Sequence, residues 1–211
     1  MAFFDPAKFT EEAITSIKSQ LNSKAIIAAS GGVDSTVAAA LAAKAVGDNL
    51  LAIYVDTGYM RLGESEFVSS MLEELGIQHK TVDASERFYE GLRGITDPEQ
   101  KRKIIGELFI RVFEEEAKDY GGKFLVQGTI APDWIESGGG LRDTIKSHHN
   151  VGGLPEDMEM ELCEPIRELY KDEVRSLAEY LKISVSQRQP FPGPGLAVRI
   201  MGEATPERTE V

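Results

Sequence analysis

An apolar run from Lys24 to Ala29 leads straight into Ser30-Gly31-Gly32-Val33-Asp34-Ser35-Thr36, and then into an alanine-rich stretch, Val37–Val46. Read as strand, tight turn and helix, this is a place to bind an anion. The first turn of a helix has backbone N–H groups without intrahelical partners and carries the positive end of the helix dipole. Gly31 and Gly32 let the backbone approach phosphate oxygens with no Cβ in the way. Val33 adds its N–H, and Ser30, Ser35 and Thr36 add hydroxyl donors. Asp34 is the odd member, because a carboxylate repels phosphate unless a cation intervenes. It is therefore assigned to a Mg²⁺ ion, directly or through water. A bare Gly-Gly after a strand is more often an ordinary βα turn with Ser30 or Asp34 as a helix cap. The whole run in this setting favours the anion site, although it lacks the G-x-x-x-x-G-K spacing of a Walker loop.

A second strand-like run ends at Val55-Asp56-Thr57-Gly58, and an open α/β sheet binds ligands beside the carboxyl ends of its strands. Backbone contacts from Ile53–Thr57, Val55 among them, to a planar ring fit this run as well as a buried strand ending in a capped turn does. Two clusters could supply positive charge. Lys101, Arg102 and Lys103 precede a helix-like stretch, where a charge run is usually a solvated face and cations oppose the dipole. Lys146-Ser147-His148-His149-Asn150 follows Arg142 in a stretch too polar to be core, and its spacing does not suit a zinc site. Asp133 and Glu136 are candidates for Mg²⁺ or substrate, and a surface turn accounts for them equally well.

The elements that must position these residues are legible as alternation. Strand-length apolar runs recur at Ala25–Ala29, Leu50–Val55, Lys80–Val82 and Phe124–Val126, separated by segments of helical spacing. That predicts an α/β fold, a mostly parallel sheet with helices on both faces. An opening helix is expected from Pro6 to about Leu21, with Phe9, Ala13, Ile17 and Leu21 in one stripe. A later one is expected from about Arg102 to Lys118. Met160–Cys163 is strand-like, and Cys163 reads as a small buried hydrophobe. Ser137–Asp157 has no apolar period and reads as a long loop. Gln189–Gly195 reads as a linker, dividing the chain into a main domain over residues 1–188 and a short remainder over 189–211.

Composition narrows the classes. The 211 residues carry 23 basic and 35 acidic side chains, a formal net charge of −12, which argues against nucleic acid as a partner. No apolar run approaches the roughly 20 residues that a membrane helix needs, and the N-terminus does not read as a signal peptide. The single cysteine excludes an internal disulfide or a multi-cysteine metal site. A cytoplasmic location is the expectation.

The Ser30–Ser35 string resembles the SGGxDS loop of ATP pyrophosphatases, enzymes that split ATP into AMP and pyrophosphate and hold the pyrophosphate portion in this loop. Further strings distinguish the members: Thr96–Gly106 (TDPEQKRKIIG), Val126–Ser137 (VQGTIAPDWIES), Ile145–Pro155 (IKSHHNVGGLP), Glu164–Leu169 (EPIREL) and Pro190–Arg199 (PFPGPGLAVR). In this order they closely resemble the synthetase part of GMP synthetase, from about Lys24 to Ile200. NAD synthetase shares the first loop, but the IKSHHN and PFPGPG strings argue against it. A lone strand cysteine makes a tRNA-thiolating relative a poor fit. A non-catalytic nucleotide sensor on the same scaffold is disfavoured by Asp34, Lys101 and Lys146 together.

The resemblance implies an adenine-nucleotide α-hydrolase-like fold and the ATP-dependent amination of xanthosine monophosphate (XMP) to GMP. It implies ATP as co-substrate with Mg²⁺, and ATP held by Ser30–Thr36, Val55 and Lys146. Asp34, Lys101 and Lys146 are then the catalytic set, with Arg102, His148, His149 and Asn150 positioning the purine nucleotide. It further implies that the stretch from about Gly94 to Ile105 is a mobile lid. With no amidotransferase ahead of the first strand, ammonia is expected from a separate glutamine amidotransferase subunit. The PFPGPGLAVR string opens the family's dimerisation domain, so a homodimer is expected of the longer protein.

Overall fold

The computed structural model describes residues 4–136, 160–184 and 195–209. Lys146, His148, His149 and Asn150, the expected Ser137–Asp157 loop and most of the proline-rich string lie outside those residues.

Caps decide where the helices begin. Asp5 accepts hydrogen bonds from the N–H groups of Ala7 and Lys8 at 3.0 and 3.1 Å, and Pro6 occupies the first turn. Helix α1 accordingly runs Pro6–Gln20, as expected. Asp97 and Pro98 repeat the device. Asp97 accepts from Gln100 N–H at 2.8 Å, and α5 runs Pro98–Tyr120 until Gly121 stops it at φ +75°. The expected start near Arg102 is therefore too late, and Lys101–Lys103 sit inside the helix rather than ahead of it.

Among the described residues, five strands form one sheet in the order β3-β2-β1-β4-β5, where β1 is Ala25–Ala28, β2 Leu50–Asp56, β3 His79–Asp83, β4 Phe124–Val126 and β5 Glu161–Cys163. Every pairing is parallel. The central strands, AIIA and LLAIYVD, are apolar without alternation because helices cover both their faces. Edge strand β3 leaves Lys80 and Thr81 exposed, a polar edge that discourages pairing with another chain.

On one face, α1, α2 (Val33–Val46), α3 (Glu64–Glu74) and α7 (Lys171–Tyr180) pack on Ala25, Ile27, Ala52 and Tyr54. Helix α2 is apolar all round because it lies beneath α1 and α7, with Val37–Ala42 buried. On the other face, α4 (Ser85–Gly91), α5 and residues Ala197 and Ala204 cover Ile26, Ile53 and Val55. Two short helices complete the described chain, α6 (Ala131–Glu136) and α8 (Pro206–Thr209). Among the described residues, no helix is long and apolar enough to cross a membrane.

Candidate functional site

Strand order reverses between β1 and β4, the position at which an open α/β sheet forms its ligand crevice beyond the carboxyl ends of the strands. Gly31 makes the turn at φ +71°, and Gly32 caps α2 without a side-chain hydrogen bond. The helix begins at Val33 rather than Val37, so Val33, Asp34 and Ser35 form its first turn. Their N–H groups are the ones that helix geometry leaves unpaired. The hydroxyls of Ser30 and Ser35 stand 2.9 Å apart across the loop, and Ser35 also reaches Gly32 O at 3.2 Å.

Thr36 departs from expectation. Its hydroxyl donates to Gly32 O at 2.8 Å, its N–H donates to the same carbonyl, and the residue is buried. Its role is to close the first turn, and its side chain does not face the crevice. Gly128, just after β4, lies directly on that turn. A Cβ at this position would stand 2.7 Å from Ser35 N and 2.8 Å from Asp34 C, so only glycine lets the β4 loop approach so closely.

The Asp34 carboxylate is gripped by Lys171, whose ammonium donates to Oδ1 at 2.8 Å and to Oδ2 at 2.6 Å. Sequence reading missed Lys171. As the first residue of α7, it places a cation at a helix N-terminus, where the dipole opposes it. The two side chains are 40% and 29% exposed, and an ion pair that wet contributes only about 0–1 kcal/mol to stability. Stability therefore does not explain an ammonium held at this loop against the dipole. Asp34 also fits a Mg²⁺ ion, which takes one or two carboxylates together with substrate phosphate oxygens.

Val55 lies in β2 beyond the end of β1. Ile53 O accepts from Ala29 N–H at 2.9 Å, so two residues on, Val55 turns its N–H and C=O to the same side, past the last residue of β1. Val55 itself is buried, 2% exposed, in the cluster that also holds Ile53 and Ala197. The turn that follows is fixed by Asp56, which accepts from Gly58 N–H at 2.8 Å and from the Ser65 hydroxyl. Asp133 caps its own helix, accepting from Ile130 N–H at 2.9 Å. Glu164, at the carboxyl end of β5, pairs with Arg167 through one oxygen. Its other oxygen is buried without a partner among the described residues. Cys163 is buried, and desolvation pushes its thiol up to about 11, which suits a packing residue and not a nucleophile.

The structure does not bring Lys101 to the crevice. Its side chain is fully buried and its ammonium donates to the carbonyls of Ala197, Ile200 and Gly202. Arg102 is exposed on α5 and paired with Glu99 one turn back. Nor is Gly94–Ile105 a free-standing lid in this structure. Gly94 N–H donates to Glu203 at 2.7 Å, and from Pro98 onward the stretch is the first turns of α5.

The family model described as NAD synthase matches residues 7–106. The chain is 57% identical over 212 residues to a subunit of the glutamine-hydrolyzing GMP synthase of Methanopyrus kandleri, covering 99% of this chain and 66% of that protein. It is 56% identical over 211 residues to the subunit of the same name from Pyrococcus horikoshii, covering 98% and 67%. The Methanocaldococcus jannaschii counterpart is 58% identical, with 99% and 67% covered. The chain thus spans about two thirds of the length of these curated relatives. Among solved structures, the NMN synthetase of Francisella tularensis superposes with a TM-score of 0.71 at 19% identity, over 92% of this chain and 78% of that one. The NH3-dependent NAD synthetase of Campylobacter jejuni gives 0.65 at 19% identity, over 85% and 75%. At these identities the likeness is one of fold.

Proposed function

Because the chain belongs to the family of these GMP synthase subunits, we propose that it carries the synthetase half of that reaction, the ATP-dependent amination of XMP to GMP. The observation that carries the reading is the Ser30–Ser35 turn with Lys171 closed over it, a cationic phosphate cradle in an acidic protein.

The chemical obstacle is that the C2 oxygen of xanthine is a poor leaving group. In the proposed reaction, that oxygen attacks the α-phosphorus of ATP and the bond to pyrophosphate breaks. Ammonia then attacks C2 and loses a proton to solvent, and AMP leaves with the original C2 oxygen. The N–H groups of Val33, Asp34 and Ser35, with Lys171, receive the charge that builds on the departing pyrophosphate. Mg²⁺ held by Asp34 would neutralise part of that charge when bound. Lys146 is proposed as a further phosphate contact, with Arg102, His148, His149 and Asn150 toward XMP and the Val55 backbone edge toward adenine. Such catalysis is chiefly positioning and charge stabilisation. A separate glutamine amidotransferase subunit supplies the ammonia, the full-length protein is a homodimer, and the setting is the cytoplasm.

The test is pyrophosphate release by the purified chain in Mg-ATP and excess ammonium, with and without XMP. Release that requires XMP and yields GMP supports the reading. Release that requires deamido-NAD instead would sink it.

A further inference from the structure

The Gly32 carbonyl has one more donor than it has lone pairs. Thr36 N–H donates to it at 3.1 Å and the Thr36 hydroxyl at 2.8 Å, while the Ser35 hydroxyl reaches it at 3.2 Å. A backbone carbonyl offers two lone pairs, so Thr36 by itself satisfies both. Thr36 is buried, and the other acceptor near its hydroxyl is the Met71 sulfur of α3 at 3.9 Å, a weak one. Its single proton therefore belongs to Gly32. The Ser35 bond is the longest of the three and the surplus one.

Gly32 is a residue that needs holding. It follows Gly31, which turns at φ +71°, and two glycines in succession leave a turn free to rotate. As the cap of α2, Gly32 aims its carbonyl along the helix toward Thr36 N–H, away from the end where the first-turn N–H groups emerge. A carbonyl swung the other way would set partial negative charge beside a bound phosphate. Thr36 opposes that swing with two bonds from one residue. Gly128 packs against the same turn, so closely that a Cβ there would stand 2.7 Å from Ser35 N.

Ser35 is placed differently. It is half-buried in the first turn of α2, and its hydroxyl stands 2.9 Å from that of exposed Ser30. With Gly32 satisfied by Thr36, the Ser35 proton can leave the carbonyl for a phosphate oxygen without loosening the turn. The Ser30 hydroxyl can then donate to Ser35 Oγ. We propose that Thr36 is a positioning residue: it holds the Gly32 carbonyl so that the Ser35 hydroxyl is released to bind the pyrophosphate portion of ATP, and it touches no phosphate itself. This rests on the reading that the Ser30–Ser35 turn binds that group.

The experiment titrates inorganic pyrophosphate, with Mg²⁺, onto the chain and onto Thr36→Val, Thr36→Ser, Ser35→Ala and the combined Thr36→Val, Ser35→Ala variant, with circular dichroism confirming that each is folded. In Thr36→Val the Ser35 proton must stay on Gly32 O. Each of Thr36→Val and Ser35→Ala is therefore expected to weaken binding by about tenfold, and the combined variant also by about tenfold, against the roughly hundredfold that independent residues would give. Thr36→Ser returns the hydroxyl and should restore most of the affinity. Unchanged affinity in Thr36→Val or in Ser35→Ala overturns the proposal. So does a roughly hundredfold loss in the combined variant, or a Thr36→Ser that binds as poorly as Thr36→Val. A second readout stands even if Thr36→Val does not fold. Because the Ser35 bond to Gly32 O is surplus, Ser35→Ala should move the melting temperature by no more than about 3 °C, and a larger fall would show that Thr36 does not hold the carbonyl alone. An unaltered chain that does not bind pyrophosphate removes the phosphate reading itself.

Discussion

Lys171 and Lys101 carry the same charge on the same stem, yet the fold uses them in opposite ways. Lys171 stands half-exposed at the start of α7, gripping a carboxylate at the mouth of the crevice. Lys101 is sealed inside α5's packing surface with backbone carbonyls as its partners. The first arrangement contributes little to stability and leaves an ammonium that can be handed to a ligand. The second commits all three donors to the protein, so removing it leaves buried carbonyls unpaired. A lysine's chemistry is therefore set by what surrounds Nζ. Its position in a charged run does not decide it.

The sharpest way to break the comparison is at Asp34, which belongs to the crevice alone. Asp34→Ala is expected to lower XMP-dependent pyrophosphate release by about 10³-fold, while the melting temperature moves by no more than about 3 °C. Both are read on the same preparation. Normal turnover would remove Asp34 from the chemistry. Lys101→Met should do the reverse to stability, costing about 3 kcal/mol and lowering the melting temperature by about 6–12 °C. A melt within about 2 °C of the original would contradict the buried clamp.

Lys171→Met sharpens the contrast. Pyrophosphate release should fall by about 10²-fold, with a denaturant midpoint that hardly changes. A large stability loss with full activity would exchange the roles assigned to the two lysines. The smallest effect expected is at Cys163. Its thiol is raised from 9.0 to about 11, so the folded protein holds its proton where the unfolded chain loses it. The resulting stability contribution is complete below pH 9 and is lost as pH rises toward 11. At pH 8 the thiolate population is roughly a hundredfold below that of an ordinary cysteine. Alkylation should therefore be slow until denaturant is added, and rapid labelling of the folded chain would place Cys163 at the surface.

The contrast also explains what the sequence disclosed. The crevice's first wall was legible because it is local: strand, Gly-Gly turn and helix start lie within about twenty residues of one another, and the structure bears out the fold they imply. Lys171 was not legible, because its partner lies 137 positions away. Only the parallel placement of β1, β4 and β5 brings the two together. Lys101 misled for a related reason. Lys101-Arg102-Lys103 reads as one cationic patch, but on a helix adjacent residues point about 100° apart. Arg102 and Lys103 face solvent while Lys101 turns inward. The cue to α5's true start was present in Asp97-Pro98, an N-cap followed by the residue best suited to a first turn. The charged run after it drew the boundary too far along.

The central claim is that the C2 oxygen of XMP is activated on ATP and leaves with AMP. The most direct measurement gives the chain XMP carrying heavy oxygen at C2, together with Mg-ATP and ammonium, and weighs the products by mass spectrometry. The account predicts heavy oxygen in the phosphate of AMP, in step with the GMP formed. Heavy oxygen recovered in water or pyrophosphate, with AMP unlabelled, would contradict it.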